Sequence, residues 1–478
     1  MSAPPSPPAR SPVLRRRLSD TVRSLIRRSR RENVKRSRSL FSARSGPQLP
    51  AHPHNLPYEI LVHILKSLQS SALSSLCFKP APYHHAGQSP PVIIDENHVT
   101  PAFRKALSSL AHSALVCKSW YFPATEVLYS QSFIVGQCNL QIFTQALLQN
   151  EALAPLVKGI WVFQYRVQKK RRLSSHSFKC DDFDRSSRGD FADALRSCTS
   201  LVDLTFTSFA KSHGPTLLPW ESEFTPGSPL GQQLRALTIY SNDVAYHPLE
   251  LVPVNASFPH LGTLILVFTT NEHLKVLPYI PSLHTLQVCN LNGDSDNVSE
   301  NPLVVMSSLL PSLRNLSLIH AVGHVQVDRD CLNQLQTLHL FGHSDRGFIQ
   351  DENALLNLRE LEVDSQYFCP IPRLPAKLQK LVVYLSFSVN KSSTPPAIRR
   401  SYDLGVLQRS LANLTQNCAA FSEVCLRFEE TFEGLDRSEM DDTFRAISES
   451  FLPRRITLCV DYWCNAREAP VEYLMEAT

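Results

Sequence analysis

A short pattern, Leu-x-x-Leu-x-Leu with Ile, Val or Phe allowed at its last apolar position, recurs through the middle of the chain. It reads LVDLTF from Leu201, LRALTIY from Leu234, LGTLILVF from Leu261 and LHTLQVC from Leu283. LRNLSLI from Leu313, LQTLHLF from Leu335, LRELEVD from Leu358 and LQKLVVY from Leu378 continue it. The starts lie 33, 27, 22, 30, 22, 23 and 20 residues apart. Alternating apolar residues over so few positions specify a short strand with one buried face. One such unit cannot bury its own leucines, so neighbours must stack on each other and share a core. APLVKGIWVF (154–163) reads as an earlier unit, and EVCLRF (423–428) and RRITLCVDYW (454–463) as later ones. Between the units lie apolar, weakly helical connections such as LVVMSSLLPS (303–312), and proline precedes several strands, as in FPHL, IPSL, LPSL and LPAKL. The expected fold class is α/β.

The charge is unevenly placed. Residues 1–44 hold thirteen Arg and Lys against Asp20 and Glu32, a net of +11, so the remainder of a +5 chain carries −6. Residues 1–50 also hold seven Pro and ten Ser. So little apolar surface cannot offset the entropy of ordering, and this tail is expected to be disordered. Three roles stay open for it. It is a solvated tail, a nuclear-import signal in RRSRRENVKRSRS (27–39), or a basic amphipathic segment over 13–26 suited to a membrane surface or a mitochondrial presequence. No run of 18 apolar residues occurs, so no membrane span is expected. The twelve cysteines form no C-x-x-C, which fits thiols in a cytoplasmic or nuclear protein better than zinc ligands or disulfides.

After the tail comes NLPYEILVHIL (55–65). Asn55 and Pro57 suit a helix start, and Glu59 suits the positive end of the helix dipole. Ile60, Leu61, Ile64, Leu65 and Leu68 follow at helical spacing. Residues 77–101, with five prolines and a glycine, read as a surface loop. A second helix is expected over about 102–116, leading into LVCKSW and FPATEVLYSQSFIV. The bland reading is a helical hairpin with its stripe turned into its own core.

These two half-motifs resemble an F-box, whose pattern is Leu-Pro-x-Glu-Ile/Leu at the start and Val-Cys-x-x-Trp near the end. The matching positions are Leu56, Pro57, Glu59, Ile60, Ile64, Leu65, Leu115, Val116, Cys117 and Trp120. The departure is an inserted Pro-rich loop, placed at 70–101, of a kind fungal members often carry. The repeats in turn resemble leucine-rich repeats of irregular length, without the usual Asn or Cys after the strand; a globular α/β domain with coincidental motifs is the alternative. The expected organisation is a disordered tail (1–50), a three-helix F-box (51–130) and an irregular leucine-rich-repeat-like solenoid (131–478).

The resemblance implies a substrate receptor of an SCF-type ubiquitin ligase, with no catalysis of its own. The F-box would hold a Skp-type adaptor, and through it the cullin and RING subunits. Leu56, Pro57, Glu59, Ile60, Ile64, Leu115, Val116, Cys117 and Trp120 would form that contact. The repeats would hold a protein substrate that the sequence does not name. A scaffold tethered to the adaptor without a ligase role is the alternative. Nucleic-acid binding would rest on the basic tail alone, which a −6 body disfavours.

Sequence motifs for catalysis, metals and cofactors are absent. There is no G-x-S-x-G, no phosphate-cradling glycine loop and no H-E-x-x-H. The adjacent His84 and His85 lack nearby ligand types. Arg16-Arg17-Leu18-Ser19 and Arg171-Arg172-Leu173-Ser174 fit the pattern of basophilic kinases, making Ser19 and Ser174 candidate phosphosites. The acidic stretch 429–442 lacks the calcium-loop pattern and reads as a solvated helix start.

Overall fold

A computed structural model of the chain describes residues 56–74, 101–135, 137–163, 185–208, 227–241, 257–268, 277–290, 303–319, 325–341, 355–364, 375–385, 387–390, 397–400, 409, 411, 420–429, 437–451, 453 and 455–463. The chain divides into two compact units, Met1–Leu56 and Pro57–Thr478. Of the first, only Leu56 is described, so the tail and its proposed signals lie outside the described residues.

The second unit opens with three helices, α1 (Tyr58–Ser74), α2 (Pro101–Ser113) and α3 (Lys118–Ser130). Strand β1 (Gln131–Val135) follows, then α4 (Gln137–Gln149) and β2 (Gly159–Phe163). Next come α5 (Arg185–Ser197), β3 (Asp203–Ser208), α6 (Pro229–Gln233), β4 (Ala236–Ser241), β5 (Thr263–Phe268) and β6 (Thr285–Asn290). The chain continues through β7 (Leu303–Val305), β8 (Asn315–Ile319), β9 (Val325–Val327), α7 (Arg329–Gln334), β10 (Thr337–Phe341), β11 (Glu360–Asp364) and β12 (Lys380–Leu385). It closes with β13 (Phe387–Asn390), β14 (Ala397–Arg400), β15 (Glu423–Glu429), α8 (Arg437–Phe451) and β16 (Thr457–Trp463). The architecture is α/β, dominated by one large parallel sheet.

Among the described residues that sheet has twelve strands, in the order β1-β2-β3-β4-β5-β6-β8-β10-β11-β12-β15-β16. Each neighbour is the next main strand along the chain, and the register never slips. Ile160, Leu204, Leu237, Leu264, Leu286, Leu316, Leu338, Leu361, Leu381, Val424 and Leu458 stand opposite one another in an unbroken row. These residues share one buried core with the row two positions later, from Val162 to Val460. The period-2 alternation of each strand thereby becomes a continuous apolar face.

The residue before each strand repeats one backbone device. The Arg235 carbonyl accepts from the Gly262 and Thr263 N–H groups, that of Gly262 from His284 and Thr285, and that of His284 from Arg314 and Asn315. The first leucine of a unit closes a turn as well. Leu261 N–H donates to Phe258, Leu283 to Ile280 and Leu313 to Leu310. In these turns proline occupies the second position, where its fixed φ is already correct. This is the physical reason for FPHL, IPSL and LPSL.

Three boundaries differ from the sequence reading. The inserted loop does not begin at 70, because α1 continues through Ser74, and Pro101 already opens α2. The second helix stops at Ser113 instead of 116. Leu115 and Val116 N–H bond three residues back, to His112 and Ser113, which tightens the end before Cys117 turns extended. The 303–312 connection is not helical. Leu303–Val305 is a strand paired in parallel with Val325–Val327, as its β-branched residues favour, and turns follow it. β1 is also an additional strand that the leucine pattern did not mark.

Candidate functional site

The three N-terminal helices form a small module with its own core. Leu65, Leu110, Ala124 and Val127 are buried together, with Val62, Ala114, Trp120 and Leu128 packed around them. Pro57 precedes the first helical residue, and its carbonyl accepts from the Ile60 and Leu61 N–H groups. Cys117 takes the same place before α3, with its carbonyl accepting from Trp120 and Tyr121. Tyr58 donates its hydroxyl to Glu126, tying the start of α1 to α3. That bond to the carboxylate, together with the module's partial burial, pushes the phenol up to about 12.

The apolar stripe of α1 is split in two. At 3.6 residues per turn, positions 61, 65 and 69 follow one line and 60, 64 and 68 the next. Leu61, Leu65 and Gln69 are buried, whereas Ile60 (47% exposed), Ile64 and Leu68 face outward. Leu115 and Val116, between α2 and α3, are 71% and 61% exposed. Leu56, Pro57 and Glu59 are exposed as well, and Cys117 and Trp120 are half-buried. The predicted positions therefore fall into two groups. Ile60, Ile64, Leu115 and Val116 present apolar surface outward, while Trp120 packs against the module's own core. Ser19 and Ser174 lie outside the described residues.

The motif left some exposed apolar residues unmarked. Tyr58 and Leu68 lie on α1, and Tyr121 and Phe122 form an edge-to-face pair at 5.3 Å on α3. Leu68 was visible in the helical spacing. Tyr121 and Phe122 had no signal beyond being adjacent aromatics.

Gln69 joins the module to the sheet. It is buried, and its Nε2 donates to the Val127 carbonyl at 2.9 Å and the Gln131 carbonyl at 3.3 Å. One side chain of α1 thus fixes both the last turn of α3 and the first residue of β1.

The polar side chains of the strands lie on the sheet face opposite the leucine rows. From β3 to β10 that face mixes hydroxyls and amides, of which Thr205, Thr238 and Gln287 are buried, with a second buried apolar cluster of Ile265, Val267, Cys289, Ile319 and Phe341. From β10 onward it becomes charged. His339 Nε2 lies 3.7 Å from Glu362, and Lys380 Nζ lies 3.5 Å from Glu360 and 3.4 Å from Glu423. Arg427 donates to the Tyr384 hydroxyl at 2.6 Å and sits 5.6 Å from that ring's centre. Burial alone would lower the Lys380 ammonium, but Glu423 and Glu360 outweigh it and hold it raised.

Among the described residues, no group of three or more His, Cys, Asp and Glu is placed to hold a metal ion. No helix there is long and apolar enough to cross a membrane. No protein-family model matches the chain, and no curated protein matches it.

Proposed function

We propose that this chain is the substrate-recognition subunit of an SCF-type ubiquitin ligase. The helical module is an F-box that docks a Skp-type adaptor, and through it cullin and RING subunits. The parallel stack is a leucine-rich-repeat-like solenoid that holds a protein substrate. The observation that carries the reading is the row Ile60, Ile64 and Leu68, exposed beside the buried Leu61 and Leu65, with Leu115 and Val116 exposed at the α2–α3 turn. A module this small has no spare interior for these side chains. Covering a large aliphatic side chain is worth about 1.5–3 kcal/mol when its exposure is complete. Several half-exposed ones supply the apolar centre of an interface of roughly 1,000 Å² or more.

The chain's role in the reaction is proximity. A bridge from adaptor to substrate raises the local concentration of substrate beside the conjugating machinery. The test is co-purification of the full chain with a Skp-type adaptor and cullin. Ile60→Glu combined with Val116→Glu leaves the module's core intact and is expected to reduce recovered adaptor at least about tenfold, since charges are placed in a desolvated contact. Equal recovery from variant and parent sinks the reading. Adaptor recovered without cullin, and with no ubiquitin gained by any bound protein, favours the tethered scaffold instead.

A further inference from the structure

β15 and β16 run parallel and in register, with Cys425 directly opposite Cys459. Both lie on the sheet face away from the leucine rows. Cys425 is buried in a cluster with Phe341, Val382 and Tyr384, and the half-buried Cys459 packs against it. Neighbouring strands are about 4.7–4.9 Å apart, inside the Cα separation of about 4.4–6.8 Å that a disulfide spans. Both residues are thiols. Cys289 is buried in the same cluster, but its ladder neighbours are Val267 and Ile319, so no cysteine faces it.

We propose that Cys425 and Cys459 are a reversible redox pair that closes into a disulfide between β15 and β16 when glutathione becomes oxidised. The more accessible Cys459 thiolate attacks one sulfur of glutathione disulfide, forming a mixed disulfide and releasing one glutathione. The Cys425 thiolate then attacks the Cys459 sulfur and releases the second glutathione. The two cysteines lose two electrons, one glutathione disulfide is reduced, and the two thiol protons end on two glutathione molecules. The bond clamps β16, which among the described strands pairs with β15 alone. It also closes the chain segment that carries α8 into a loop. This inference does not depend on the ligase reading.

The experiment equilibrates the full-length protein in glutathione buffers of rising oxidised fraction, traps it with acid, alkylates it in denaturant and maps the peptides by mass spectrometry. The wild-type chain is expected to lose two alkylatable thiols together and to yield a peptide pair joined through Cys425 and Cys459, reversed by dithiothreitol. Cys425→Ser should leave glutathione on Cys459, and Cys459→Ser should give no cross-link. Amide exchange in β15 and β16 should slow at least about threefold on oxidation of the wild type, and not in Cys459→Ser, as expected when local opening is restrained. The proposal is overturned if both thiols in the folded wild-type chain stay alkylatable at every glutathione ratio. A cross-link that joins a different cysteine pair overturns it equally.

Discussion

Trp120 and Ile60 show how two residues of one motif take different parts. Trp120 packs on Leu65, Leu110 and Val127, so Trp120→Ala opens the module's core and should lower its stability by about 2–3 kcal/mol. Ile60 is half-exposed, and Ile60→Ala should change stability by no more than about 0.5 kcal/mol while weakening adaptor binding. Denaturant melts of the two variants beside their parent check the contrast, and equal losses contradict it. Asp203 offers a second test at this scale. Burial raises its carboxyl, while the Trp161 indole N–H, 3.1 Å away, pulls the other way. A carboxyl raised above its unfolded value adds stability only while protonated, so its contribution fades as pH rises through the raised value. Asp203→Asn keeps an acceptor for Trp161 without a buried charge. Its melting temperature should exceed the parent's at pH 7, with the gap narrowing as pH falls toward the ordinary carboxylate range.

Among elements, the join between α1, α3 and β1 matters most, because it sets the module against the first strand. Gln69→Leu removes two donated bonds and puts an apolar chain in a buried polar place; the Val127 carbonyl keeps the Ser130 hydroxyl, while the part-buried Gln131 carbonyl loses the Gln69 amide. The expected cost is about 1–3 kcal/mol, read as faster amide exchange across α1 and the end of α3; unchanged exchange there contradicts the assigned role. None of this was legible beforehand. Gln69 sits in a polar, Ser-rich stretch, and only a tertiary contact gives it a partner. The strands were legible because each unit repeats the Leu-x-x-Leu-x-Leu spacing, and the prolines marked turns whose φ they fix. β1 was missed since QSFIV lacks the leucine pattern. Residues 303–312 misled because their apolar run suits strand and helix alike, and pairing with 325–327 decided between them.

Taken whole, the described sheet is a one-directional ladder in which each strand meets only its sequence neighbours, so folding can proceed by local closure, unit by unit. That organisation was readable from the recurring leucines. What the sequence alone left open was the direction of the α1 stripe, since apolar residues at helical spacing serve an inner core and an outer contact equally well. The structure turns Leu61 and Leu65 inward and Ile60, Ile64 and Leu68 outward. The most direct measurement is an amide-exchange footprint of the full-length chain with and without a purified Skp-type adaptor. Protection is expected along 58–68 and at 115–116, with β4 to β12 unchanged. An adaptor that does not bind, or one that protects the sheet and leaves 58–68 exchanging as before, would contradict the account.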